Sequence, residues 1–187
     1  MTGQPPTPDP LAYLPEPDPS TLTVQPVPGG TSVSLQPGRY VGGLSFSGQT
    51  TVTMAPGIYY MDGGGFSMAG QGSLNAAGVM IFSDAGLNIT GLGSVTWSPP
   101  TSGIYQGISY FQDRSSSTTA KVAGNGGYNI TGTFYLAGGL ADLQGNGDAS
   151  IASQVVALLM KSGGNGVTAI NWSAPATAPT RVISLVE

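Results

Sequence analysis

Three aspartates end three successive apolar segments of the chain. Asp62, Asp84 and Asp113 each follow a short run rich in β-forming residues. If those runs are stacked strands about 4.8 Å apart, the three carboxylates form a ladder. Hard oxygen ligands at that spacing suit Ca²⁺, so the ladder is a candidate metal site, and no other cofactor is expected. A pair such as Asp113 with Asp84 or Asp62, roughly 5 Å apart, also has the spacing of a retaining glycosidase.

A structural explanation competes with both kinds of chemistry. Small residues follow each aspartate, at Gly63, at Ala85 and at Ser115. Aspartate side chains in turns accept hydrogen bonds from nearby backbone N–H groups, so turn capping alone accounts for the positions of the three carboxylates. The sequence leaves the metal, catalytic and capping interpretations open.

Two further residues near the aspartates are candidates for ligand binding. Arg114 is the only cation beside the ladder, and we predict an ion pair with Asp113 or Asp84, with ligand binding as the alternative. Tyr105 lies in an irregular segment and is predicted to be the most exposed of the nearby aromatic residues. Tyr59, Tyr110 and Trp97 are expected mainly to fill the core.

A repeat must position these side chains. A marker glycine occurs at 48, 70, 91, 124, 145 and 164, at intervals of 22, 21, 33, 21 and 19 residues. Each marker except the first is followed by a second glycine two residues later. No helical pattern follows any of them, which argues against a dinucleotide-binding loop. A period near 21 residues with turn chemistry at one phase predicts an all-β solenoid with one coil per repeat, about six coils in total.

Residues at fixed distances from the marker glycines form columns. Apolar residues precede the marker by four and by two residues and follow it by four, and polar residues follow it by five. The inward columns are Leu44, Phe66, Leu87, Ala120 and Ala141; Phe46, Met68, Ile89, Val122 and Leu143; and Val52, Leu74, Val95, Tyr128 and Ala149. The outward column is Thr53, Asn75, Thr96, Asn129 and Ser150. Such alternation is typical of short strands with one buried face.

The single long interval contains two insertions. Alignment of the strand before Asp84 with the strand before Asp113 places eight extra residues at 98–105 and the remainder at 114–119. Insertions in a solenoid form loops on one side of the coil, where function is often located.

Composition limits the function further. The chain has 187 residues, 7% charged residues, a net charge of −4, and neither cysteine nor histidine. Thiol chemistry and histidine catalysis are therefore excluded, and the absence of a basic patch argues against nucleic-acid binding. No apolar run in this chain is long enough to span a membrane.

The chain divides into three parts. Residues 1–28 contain nine of the fifteen prolines and are predicted to form an extended arm along the coils, with a first strand at 21–24. Residues 29–174 form the solenoid. Residues 175–187 are predicted to be a linker followed by a capping strand from Thr180 to Glu187, since open solenoid ends are unpaired strand edges.

Several strings resemble a known family. They include Asp9–Pro15, Pro37–Tyr40, Pro56–Tyr60, Gly78–Phe82, Pro100–Gly103, Gly107–Arg114 and the terminal Val182–Glu187. Together, over about residues 9–187, they are similar to the C-terminal domain of bacterial TadG-like proteins of the tight-adherence (Flp) pilus-assembly systems. The resemblance implies a right-handed parallel β-helix displayed outside the cytoplasmic membrane, with no catalytic residues to transfer. Members of that family usually carry a membrane anchor near the N-terminus, which this chain lacks.

The expected function is therefore a non-enzymatic, secreted structural or adhesion module of the cell envelope, associated with pilus assembly. Its expected partners are glycans or other envelope and pilus proteins, together with further copies of itself through the solenoid ends or the arm. The first alternative is a carbohydrate-binding or carbohydrate-cleaving β-helix that uses Asp113 with Asp84 or Asp62. The second is an ice-binding or fibre-forming solenoid that uses the outward polar column.

Overall fold

The structure is a computed structural model that describes residues 8–91, 93–124, 127–145, 149–165 and 168–179. Within these residues the chain is almost entirely β-structure, with two 3₁₀ turns at Pro19–Thr21 and Ala174–Ala176. All the strand pairs are parallel, and they build a β-solenoid of about six turns spaced by about 21 residues. The fold predicted from the repeat is therefore confirmed.

One seven-stranded sheet forms the first face of the solenoid. Its order in the described chain follows the sequence: β1 (Ser32–Leu35), β4 (Thr51–Met54), β7 (Ser73–Ala76), β10 (Ser94–Trp97), β13 (Tyr128–Ile130), β15 (Ala149–Ile151) and β17 (Thr168–Ala169). Below, this sheet is called the polar face sheet.

The other strands form two further faces, and the last two of these strands run through both of them. One face contains β2 (Gly38–Val41), β5 (Gly57–Asp62), β8 (Val79–Ser83) and β11 (Ile108–Gln112). The other contains β3 (Leu44–Phe46), β6 (Phe66–Ala69), β9 (Leu87–Thr90) and β12 (Thr119–Gly124). The long strands β14 (Thr133–Gly145) and β16 (Gln154–Gly163) run through both faces and join them at a corner.

The predicted apolar columns fill the space between the faces. Leu44 pairs in register with Phe66 and Phe66 with Leu87, while Val52 pairs with Leu74. All of these side chains are at most 2% exposed. Because equivalent residues stack coil upon coil, each strand contributes the same apolar face to one continuous core, and the solenoid is stabilised by burial along its whole length.

The glycine corners have two distinct causes. Gly70 has φ of +118°, in the left-handed region that glycine adopts without strain. Gly72 does not, yet a Cβ there would clash with the carbonyl oxygen of Thr50 in the preceding coil. Gly124 and Gly145 have no positive φ, because both are strand residues. Glycine is therefore required at some corners by the turn geometry and at others by the close approach of the neighbouring coil.

The N-terminal arm packs on the outside of the face that runs from β2 through β5, β8 and β11 to the first part of β14, called the β2–β14 face. Leu11 and Leu14 are buried in a second apolar cluster with Met80, Phe82 and Phe111. The arm was predicted to be extended, but residues 9–14 form a turn. The N–H of Ala12 donates to the carbonyl of Asp9, and the N–H of Leu14 donates to the carbonyl of Leu11. This turn presents both leucines to the same side.

Further along, the arm closes one end of the solenoid. The backbone N–H of Arg39 donates to the carbonyl of Thr23 at 2.8 Å, and that of Gln25 donates to the carbonyl of Arg39 at 2.9 Å. A strand at residues 21–24 was predicted, but the structure forms only one parallel bridge there, between Val24 and Arg39 of β2, and Thr21 belongs to a 3₁₀ turn. The capping strand predicted from Thr180 to Glu187 lies outside the described residues. In the described chain, no helix is long and apolar enough to cross a membrane.

Candidate functional site

The three aspartates do stand at equivalent positions of consecutive coils. Asp62 ends β5, whereas Asp84 and Asp113 directly follow β8 and β11. Ser83 pairs in register with Met61 on one side and with Gln112 on the other, and the N–H of Asp113 donates to the carbonyl of Ser83 at 3.0 Å. The predicted stacking is therefore correct.

Each aspartate, however, has its own partners. Arg39 donates to Oδ2 of Asp62 from Nε at 2.9 Å and from Nη2 at 2.6 Å. Oδ1 of Asp113 accepts from the backbone N–H and the hydroxyl of Ser115, at 2.7 and 2.6 Å. These contacts are those of an ion pair and a turn cap.

Asp84 is the middle member of the ladder. Its Oδ2 accepts from the backbone N–H of Gly63, at 2.9 Å, so it caps the turn of the preceding coil. Its Oδ1 is buried and has no hydrogen-bond partner. Burial first, and then the carboxylates of Asp84, Asp62, Asp113 and Glu16, raise the pKa of the neighbouring Tyr60.

The arrangement does not assemble a metal site from these side chains. Among the described residues, no three acidic, histidine or cysteine side chains are grouped so that they could hold a metal ion. The calcium site predicted from Asp62, Asp84 and Asp113 is therefore not formed as a shared cluster, because Arg39 engages the first carboxylate and a local turn engages the last. The contacts of Asp84 and Asp113 are those of the capping interpretation, whereas Asp62 forms an ion pair with Arg39.

The prediction for Arg114 was wrong. Its guanidinium does not pair with Asp113 or Asp84 but turns to the arm. Nη2 donates to the carbonyls of Leu11 at 3.1 Å and Leu14 at 2.7 Å, and Nη1 lies 3.4 Å from a carboxylate oxygen of Glu16. The partners lie about a hundred residues earlier in the chain, beyond the reach of local pattern reasoning. Arg114 therefore fastens the arm.

Arg114 also covers the end of an aromatic ladder. Tyr60, Phe82, Phe111 and Tyr135 pair in register on the outer side of the β2–β14 face, with ring centroids 4.7, 5.4 and 4.8 Å apart. The guanidinium carbon lies 5.0 Å from the Phe111 ring centroid and 5.2 Å from that of Tyr135, close enough for cation–π attraction. The sequence carried a signal for this ladder in β8, since Val79–Phe82 is a continuous apolar run typical of a strand buried on both sides.

The prediction for Tyr105 was also wrong. Its side chain is only 6% exposed, packs edge-on against Phe111 at 6.4 Å, and donates to the carbonyl of Pro15 at 3.1 Å. The arm covers the insertion, which explains the burial. Tyr59, Tyr110 and Trp97 are fully buried, as expected of core residues.

A groove of about 590 Å³ lies between the arm and the insertion at 98–105. Its lining is mainly apolar and includes Pro15, Pro17, Leu22, Ile58, Ile104 and Tyr105. Sequence reasoning did not find it because it arises only when the arm docks.

The outer side of the polar face sheet carries columns of equivalent polar residues. The predicted column is in register as Thr53, Asn75, Thr96, Asn129 and Ser150, and Ser34 extends it by one coil. A second column contains Ser32, Thr51, Ser73 and Ser94. Thr53, Asn75 and Thr96 are exposed. None of the seven strands contains a charged residue. This surface can offer hydrogen bonds at every coil without any charge.

Comparison with family models, curated proteins and solved structures finds no match to this chain.

Proposed function

We propose that the chain is a non-enzymatic structural and adhesion module of the bacterial cell envelope, acting outside the cytoplasmic membrane. In this proposal the polar face sheet is the binding surface, and the ligand is a neutral, hydroxyl-rich polymer such as a cell-surface polysaccharide. The solenoid serves as a rigid support for that surface.

The observation that carries the proposal is the pair of columns on the polar face sheet. Equivalent hydroxyl and amide groups recur at the strand spacing of about 4.8 Å, and the backbone of each strand is held by both neighbours. A rigid array loses little conformational entropy when it binds, and repeated weak contacts add up to strong retention on a polymer. The absence of charge suits a neutral ligand.

The setting in the envelope rests on the resemblance to TadG-like proteins. That resemblance also makes other pilus and envelope proteins natural partners. A low content of charged residues, only 7%, is consistent with a surface that works through Ser, Thr, Asn and Gly. The contacts of the aspartates, directed to Arg39, Gly63 and Ser115, favour this function over a carbohydrate-cleaving one.

A binding panel tests the proposal. The full chain is incubated with insoluble neutral polysaccharides and with cell-wall fractions, and a glycan array covers soluble sugars. Binding to at least one neutral polymer, retained at high salt, is expected, since uncharged contacts are not screened. Failure to bind any of these surfaces, or binding that salt abolishes, would overturn the proposal.

A further inference from the structure

The C-terminal edge of the solenoid leaves a row of large apolar side chains uncovered. Strand β16 pairs with β14 on one side, and no other strand in the described part of the chain pairs with its second side. Leu158, Leu159 and Met160 are 65%, 62% and 51% exposed. An apolar edge strand is a template for further strand pairing, and proteins usually block such edges.

The opposite end of the same face is blocked. Thr23 and Gln25 of the arm occupy the edge of β2 through their two backbone hydrogen bonds with Arg39. A head-to-tail stack, in which β16 of one copy would pair with β2 of the next, therefore meets an edge that is already taken. Of the two ends of this face in the described residues, the one with an open strand edge is therefore β16.

The described C-terminal run moves away from the open edge. Ala178 donates from its N–H to Thr133 Oγ1 at 2.9 Å and is buried in the cluster that contains Ile108. The carbonyl of Pro179 accepts from the hydroxyl of Tyr13. This run packs against the arm and earlier coils instead of lying along β16.

We infer that β16 is a self-association interface, and that its partner is β16 of a second copy, paired antiparallel about a two-fold axis. Leu158 and Leu159 are the fifth and sixth of the ten residues from Gln154 to Gly163. An axis between them pairs the whole strand and sets Leu158 of one copy opposite Leu159 of the other. The apolar residues then meet at the centre, and the polar ends lie at the rim, as in a self-complementary two-fold contact.

The bend of β16 fits the same axis. Leu136 of β14 pairs with Ala157, and Leu140 pairs with Leu159, so the strand turns the corner between the two faces at Leu158. A two-fold axis through that corner lays the first half of one β16 on the second half of the other. Both solenoids then continue their faces across the junction, and the contact closes as a dimer without forming a filament.

Because the chain has no cysteine, introduced thiols report this contact directly. Leu158→Cys and Leu159→Cys copies are mixed at equal amounts and oxidised mildly, and non-reducing gels follow the covalent dimer. The mixture should form it at least about tenfold faster than Ile104→Cys copies, whose side chain is equally exposed, at 64%, but lies on the insertion. Equal rates in the mixture and in the Ile104→Cys sample would refute the interface.

A second measurement uses the native chain without cross-linking. Light scattering after size exclusion should show a concentration-dependent dimer that Leu158→Lys abolishes and Ile104→Lys preserves, with unchanged far-UV spectra. The lysine places two charges near the axis, where they repel and are desolvated. A wild type that stays monomeric at millimolar concentration, or a dimer that survives Leu158→Lys, would overturn the inference.

Discussion

Nη2 of Arg114 donates a 2.7 Å hydrogen bond to the carbonyl oxygen of Leu14, although the two residues are 100 positions apart. The same guanidinium reaches Leu11, Glu16 and Tyr135. One side chain from the second insertion thus connects the arm, the aromatic ladder and the solenoid. This cation adds to the arm's other attachments, which are the burial of Leu11 and Leu14 and the backbone hydrogen bonds of Thr23 and Gln25 with Arg39.

Replacing Arg114 by Ala should weaken the arm more than any other surface substitution. Hydrogen bonds of charged groups contribute roughly 1.5–3 kcal/mol each, and several are lost together, so we expect a loss of about 3 kcal/mol in the free energy of unfolding. Urea denaturation measures it. Arg39→Ala is the matched control, because this similarly half-buried arginine pairs with a single carboxylate, that of Asp62, and its loss should cost about 1 kcal/mol. Equal effects of the two substitutions would contradict the role of Arg114.

The aspartate ladder should not respond to calcium. Because Asp62 and Asp113 are engaged by Arg39 and by a local turn, adding a chelator should leave the melting temperature unchanged. Asp84→Asn should be neutral or stabilising, because it removes a buried charged oxygen that has no partner while a carbonyl oxygen can still accept from Gly63. A chelator-induced fall in melting temperature that Asp84→Asn removes would instead establish a cation at this ladder.

Ile89→Asp should abolish folding. Ile89 is fully buried in the column between Met68 and Val122, so an aspartate there would place an unpaired charge in the core. Asn88→Asp, one residue earlier and on the outward side of the same strand, should fold normally. Far-UV spectra and thermal melts of the pair decide the matter. A cooperative melt of Ile89→Asp would mean that the inward column is misassigned.

Stability should fall in the alkaline range partly through Tyr135. Burial first, and then the hydrogen bond to Asp9, raise the pKa of Tyr135 to about 12, against the lowering effect of Arg114. Since the folded-state pKa lies above the unfolded value of 10.0, this contribution is fully present below pH 10 and is lost as the pH rises towards 12. Denaturation of wild type and Tyr135→Phe between pH 9 and 12 should show a shallower decline for the variant. Parallel curves would exclude this residue as a source of the dependence.

The repeat made the coil predictable, whereas the arm's contacts were not predictable. Period-two alternation around the marker glycines identified the columns through Leu44 and Val52 because each coil repeats the same local geometry. Contacts of the arm are not repeated. Arg114 and Tyr105 were assigned wrongly because their partners, Glu16 and Pro15, lie about ninety to a hundred residues away and no sequence period relates them.

The candidate site was predictable only in its spacing. Stacking of Asp62, Asp84 and Asp113 follows from the coil period. The partner of each carboxylate depends instead on which residues occupy the neighbouring strands and turns, and the period does not specify these residues. Arg39 lies in β2 and Asp62 lies in β5, the strand that pairs with β2. This pairing could have indicated their ion pair.

The central claim is that the polar face sheet binds a neutral polymer, and one binding comparison tests it most directly. Wild type, Thr53→Lys/Thr96→Lys and Ser45→Lys are titrated against the same insoluble polysaccharide, and the half-saturation concentration is measured. Ser45 is exposed on a neighbouring face and serves as the control. We predict that the double variant binds at least about tenfold more weakly, because two protruding charged side chains interrupt the array of hydroxyl and amide groups, and that Ser45→Lys binds like wild type. Equal half-saturation for all three proteins would contradict the claim.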